Sequence, residues 1–136
     1  MGAWSPGTFD NDEACDWGHD LEETADLALV EAALGAVERA RGELERELGV
    51  EALAACEVLA RLQGRHGYRD AYTEAVDAWC AAHAALVVTP ALLQRALAVI
   101  DRVLGPTSEL AALWDEGGDD GGWRASVADL RARVEG

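Results

Sequence analysis

Glu57 lies within LAACEVLA, with apolar neighbours on both sides, and Asp77 and Asp101 hold similar positions in EAVDAW and LAVIDRV. A carboxylate withdrawn from water holds its proton more tightly and can then exchange it near neutral pH. Glu57, Asp77 and His83 are therefore the candidate acid–base residues, provided that the elements carrying them line one pocket. The competing role is structural. Arg61 stands one helical turn beyond Glu57, at the spacing of an ion pair, and the backbone of an N-terminal arm could also bond the carboxylate. The structural role is the expected one.

A second set of residues has metal-binding chemistry. Cys15 and His19 are spaced i,i+4, and Cys80 and His83 i,i+3, so each pair shares a helix face. Two such helices in contact would assemble Cys₂His₂, which suffices for structural zinc. Neither pair has the close Cys-x-x-Cys spacing, however, and a buried cysteine ordinarily behaves as a small apolar residue. The expectation is no metal and no cofactor. The early acids Asp10, Asp12 and Asp16 lack the glycine and distal glutamate of an EF-hand loop. They read as a helix start instead, with Asp10 as N-cap, Glu13 closing a capping box and Phe9 stapled to Ala14. No phosphate-cradling loop, dinucleotide fingerprint or nucleophile elbow is present.

These residues must be placed by helices. The hydrophobic half of the composition is mostly Ala, Leu and Val, which suits helices packed through small residues. After an irregular arm over residues 1–9, the first helix presents Ala14, Trp17 and Leu21, with Gly18 weakening or ending it. A second helix spans Glu22 to Arg41 with the stripe Leu27, Val30, Leu34 and Val37. The segment 42–49 reads as a frayed turn before a strongly apolar helix, Val50 to Leu62. Residues 65–68 form a loop, and a fourth helix runs from Asp70 to Val87. Thr89-Pro90 supplies a cap and first turn for a fifth helix with Leu93, Leu97, Ile100 and Leu104 in line. Thr107 or Ser108 caps a sixth, and residues 117–122 form an acidic glycine-rich loop. A last helix from about Trp123 presents Val127, Leu130 and Val134. The expected fold is all-α: one domain over residues 1–136, a bundle of about six to seven helices.

Charge narrows the partners. The 136 residues hold 26 Asp and Glu against 11 basic residues, all arginine, for a net charge of −15. Such a surface repels phosphate backbones and anionic lipid, so nucleic acid and membrane are not expected partners. It attracts a basic protein. The contact residues expected for one are Glu22, Glu23, Asp26, Asp115, Glu116, Asp119 and Asp120, with an exposed tryptophan. Three widely spaced cysteines argue for a reducing compartment, and neither a signal-peptide pattern nor a membrane-spanning run is seen. The expected location is the cytoplasm.

The opening residues Met1, Gly2, Trp4, Gly7, Phe9, Asp10, Asn11 and Asp12, followed by Asp16-Trp17, resemble a bacterial family of small proteins, domain-of-unknown-function family 4259. ALAACEVLA, SELAALWDE and ASVADLRARV resemble its later segments, so the likeness covers nearly the whole chain. Ser5-Pro6 departs from the Gly-Thr usual there. The resemblance implies a bacterial, cytoplasmic helical protein and no particular activity. From residues and charge the expected function is an acidic protein-binding module, an inhibitor or immunity-type partner of a basic effector. The alternatives are a small metal-dependent or acid–base enzyme and a helical accessory subunit of an assembly.

Overall fold

The computed structural model describes residues 7–9, 11–67, 69, 71–116 and 122–136. Trp4, Asp10, Tyr68, Asp70, Asp119 and Asp120 lie outside the described residues. The helices are α1 (Asp12–Leu21), α2 (Ala28–Arg39), α3 (Arg46–Leu62), α4 (Glu74–Ala82), α5 (Pro90–Val103), α6 (Glu109–Glu116) and α7 (Gly122–Glu135). Among the described residues there is no strand; an isolated parallel bridge joins Leu44 to Ser108. The chain is an all-α bundle. No helix of the described residues is long and apolar enough to cross a membrane.

The helix α3 is the axis of the bundle, packing against each of the other six. A helix apolar on all sides must be central, and every residue from Ala52 to Arg61 is buried. Ala52, Ala54, Ala55 and Ala60 keep its surface low, so neighbours approach closely. Around it lie Trp17 and Leu21 of α1, Val30, Leu34 and Val37 of α2, Val99, Ile100 and Val103 of α5, and Val127, Leu130 and Val134 of α7.

Several boundaries differ from expectation, each for a local reason. The N-cap of α1 is Asn11, whose Oδ1 accepts from the Ala14 amide at 2.8 Å while its Nδ2 donates to the Thr8 carbonyl at 3.3 Å. Glu13 then falls one position short of a capping box and pairs with Arg46 at 2.6 Å. Helix α1 runs through Gly18, which is buried; a Cβ there would lie 3.2 Å from Val76 Cγ2, so the glycine lets α1 and α4 close up.

The second helix starts at Ala28, later than Glu22. Residues 22–27 form a connector in which Thr24 Oγ1 donates to the Leu21 carbonyl and the Thr24 carbonyl accepts from Trp79 Nε1 at 2.8 Å. The third starts earlier than Val50, because the Glu109 carboxylate accepts from the Arg46 amide at 2.7 Å and caps it. Helix α4 covers only Glu74–Ala82. On α5, Thr89 Oγ1 accepts from the Leu92 amide as expected. Its buried face, however, is Leu92, Ala96, Val99, Ile100 and Val103, leaving Leu93, Leu97 and Leu104 half-buried.

Arg102 does what no sequence spacing announces. Its guanidinium donates to the carbonyls of Val37, Ala40 and Gly42 at 3.2, 2.9 and 3.1 Å, closing the end of α2 where orphan carbonyls face out. Arg102→Ala should lower stability by about 1.5–3 kcal/mol, the worth of hydrogen bonds made by a charged donor, read as a lower urea midpoint at unchanged slope.

Candidate functional site

Glu57 is fully buried, and so is the side chain of Arg61 beside it. Its Oε1 accepts from Arg61 Nε at 3.2 Å and from Arg133 Nη1 at 2.5 Å. Its Oε2 accepts from Thr8 Oγ1 at 3.1 Å and from Arg133 Nη2 at 3.3 Å. A buried carboxylate is tolerated only when charge and hydrogen bonds compensate it, and two planar guanidiniums do both. With four donors on two oxygens, its acceptor positions are filled and none is left for a substrate proton. The expected pair with Arg61 is present. The arm also reaches Glu57, through the Thr8 hydroxyl rather than through backbone.

The network continues outward. Arg61 Nη1 donates to Asp77 Oδ1 at 2.5 Å, and Thr73 Oγ1 donates to Asp77 Oδ2 at 2.9 Å. Arg133 Nε donates to Asp129 Oδ2 at 2.9 Å, and Arg133 Nη1 also reaches the Arg65 carbonyl at 3.3 Å. Gly67 lies so near that a Cβ there would sit 2.7 Å from the Arg133 guanidinium. Arg133 and His66 escaped sequence reasoning. Arg133 is 76 positions from Glu57, and no spacing rule spans that distance. His66 Nδ1 is buried without a hydrogen-bond partner and lies 3.7 Å from Asp77 Oδ1.

The three acid–base candidates do not form one pocket. Glu57 and Asp77 meet only through Arg61. His83 stacks on Trp79, ring centroids 4.3 Å apart, and its Nδ1 is 2.8 Å from the Trp79 carbonyl. Asp101 is not buried at all: Arg131 grips it from α7 at 2.8 and 3.2 Å and holds its carboxyl below the usual range. The metal candidates are likewise dispersed, although α1 and α4 do pack together. Cys15 Sγ donates to the Phe9 carbonyl and Cys80 Sγ points at the Val58 carbonyl, while His19 faces Glu22 at the surface. Burial pushes the Cys80 thiol up to about 12, and the Cys56 thiol is raised for the same reason. Among the described residues, no three His, Cys, Asp or Glu side chains gather as a metal would require.

The acidic candidates fare differently. Glu22, Glu23 and Asp26 are exposed in the α1–α2 connector, where Asp26 Oδ1 accepts from the Ala28 amide. Asp115 is committed to Arg124, at 3.2 and 3.0 Å, and Glu116 is exposed. A group not foreseen lies where α1 packs on α3. The carboxyl of Glu51 is raised by its own partial burial and then by the charges of Glu47 and Asp20. The i,i+4 repeat of Glu47 and Glu51, echoed by Asp16 and Asp20, was the available signal. Arginines nearby serve other acids. Arg46 goes to Glu13 at 2.6 Å and stands 3.9 Å from Glu47, and Arg95 holds Glu38 at 2.8 Å.

Fold and site together define an all-α bundle built around a buried carboxylate held by two arginines. The chain belongs to the family described as a domain of unknown function, DUF4259, which matches residues 2–126. Arg133 lies beyond the matched stretch. No curated protein and no solved structure gives a significant match to the chain.

Glu57→Gln keeps the shape of the side chain but removes the charge that both guanidiniums face. It should cost about 3–5 kcal/mol, the usual penalty for breaking a buried pair, measured by urea unfolding. A variant as stable as the wild type would contradict the structural role.

Proposed function

We propose that the protein binds another protein of basic charge in the bacterial cytoplasm, as an inhibitor or immunity-type partner of a basic effector. The observation that carries this reading is the excess of 26 acidic residues over 11 arginines, with Glu22, Glu23 and Asp26 exposed together in the α1–α2 connector; the raised carboxyl of Glu51, which feels Glu47 and Asp20, agrees with it. Like charges in excess cost stability, and a net charge of −15 opposes compaction. A basic partner relieves that repulsion and is drawn in by the same field. The exposed Glu22 and Glu23, next along the chain from Asp20, extend the acidic surface. The three cysteines are free thiols, consistent with a reducing interior.

A second reading, a small acid–base enzyme, is favoured by one observation. His66 presents a partnerless Nδ1 to Asp77 near the surface, the order of groups in an Asp-oriented general base. Its pivot would be His66, 3.7 Å from an Asp77 carboxylate that Arg61 and Thr73 already hold.

The test of binding is capture from native cytoplasm on immobilised protein, at low and moderate salt, with Asp20→Asn/Glu47→Gln/Glu51→Gln alongside. One basic protein held stoichiometrically by the wild type and released as salt rises is the expected result. With that protein in hand, stopped-flow association at low salt should be about tenfold slower for the triple variant. An equal on-rate would end the steering argument.

Glu51→Gln should itself be more stable than wild type by about 0.3–0.5 kcal/mol at neutral pH, the scale of an i,i+4 like-charge pair. Partial burial, then the charges of Glu47 and Asp20, raise the folded-state pKa of Glu51 above that of an ordinary glutamate, so ionisation of this group costs the folded state more than the unfolded one. The gain should be full above the raised value and vanish only as pH falls below the ordinary glutamate value, where both states are protonated. Urea midpoints across that range check it.

A further inference from the structure

We propose that the groove between α5 and α7 receives a cationic amphipathic helix of the basic partner, a proposal that rests on the reading above. The groove has a volume of about 460 Å³ and runs beside Leu93 and Leu97 of α5 and Val134 of α7. Its origin is an excess of apolar residues on α5. One face, from Leu92 to Val103, fills the core, and a single stripe is what a peripheral helix needs. Leu93 and Leu97 add a second stripe, one turn apart, which is half-buried and lines the groove. Two leucines at that spacing are the seat for the anchors of an incoming helix.

Charge selects the occupant. One turn beyond Leu97, Asp101 faces Arg131, which also donates to Glu135 at 3.3 Å. The wall thus sets two carboxylates against one guanidinium, and both carboxylates remain more than half exposed. A lysine or arginine arriving one or two turns after the apolar anchors meets that excess carboxylate, most openly at Glu135. A second copy of this chain would instead bring another −15 to a groove of the same sign. The occupant that fits is therefore a helix with two apolar residues one turn apart, followed by basic residues.

The probe is a labelled helical peptide of leucine and lysine with leucines at i,i+4 spacing, and a twin with glutamate for lysine, read by fluorescence polarisation. The full-length wild type should bind the lysine peptide and not the twin. Leu93→Asn/Leu97→Asn should weaken binding by about tenfold or more, with circular dichroism checking the fold. Glu135→Lys, a change at an exposed position, should weaken it several-fold and stands in if the double variant unfolds. Asp20→Asn/Glu47→Gln/Glu51→Gln should bind within about twofold of wild type. Binding lost only in that acidic-face variant would overturn the groove while leaving the reading of a basic partner intact. Binding indifferent to every groove variant, or none at all, would overturn the groove as well. So would a wild-type dimer in sedimentation that Leu97→Asn abolishes, since the occupant would then be a second copy.

Discussion

The carboxylate of Glu57 sits on the innermost helix, and its need for compensation organises the segments around it. A lone charge at the centre of α3 would cost several kcal/mol, so the fold must bring cations to it. Arg61 comes from the same helix. Arg133 comes from the last turns of α7, and Thr8 comes from the arm that precedes α1. Each of these fixes something further. Arg61 ties α4 through Asp77, and Arg133 holds the 65–67 loop through the Arg65 carbonyl and packs its guanidinium against Gly67, where a side chain would push it. Apolar packing alone would permit α7 to slide; two donors on one carboxylate define its register.

The same chemistry is handled oppositely inside and outside. Inside, acid and base are matched closely: Glu57 and Asp77 share Arg61, and Arg133 joins Glu57 to Asp129. At the surface the arginines go first to Glu13, Glu38, Asp101 and Asp115, some reach a second acid, and the acids still outnumber them. The carboxyl of Glu51, raised by its partial burial and then by the charges of Glu47 and Asp20, shows that excess. A bundle already stabilised by its core and by the Glu57 network can carry such repulsion, and a basic partner is what would make use of it.

Sequence reading reached the helices well and the polar contacts less well, for physical reasons. Periodicity exposes which face of a helix is apolar, and Val127, Leu130 and Val134 were placed in the core by it. Thr89-Pro90 announced α5 because capping is local chemistry. The start of α1 was misplaced by one residue, because Asp10 and Asn11 are both good caps and only the fold chooses. The buried face of α5 was misassigned because that helix has apolar residues on two sides, which periodicity cannot rank. The apolar surroundings of Glu57 pointed to burial, and Arg61 at i+4 to its partner. Arg133, Arg102 and His66 act across tertiary contacts and leave no trace in local spacing.

Hydrogen exchange on Glu57→Gln and wild-type protein, compared segment by segment, tests most directly whether this carboxylate unites the bundle. If it does, protection should fall together in α3, in Thr73 and the first turn of α4 with Asp77, and in the last turns of α7 around Arg133. A loss confined to the turn of α3 that contains residue 57, with α4 and α7 as protected as before, would contradict the account.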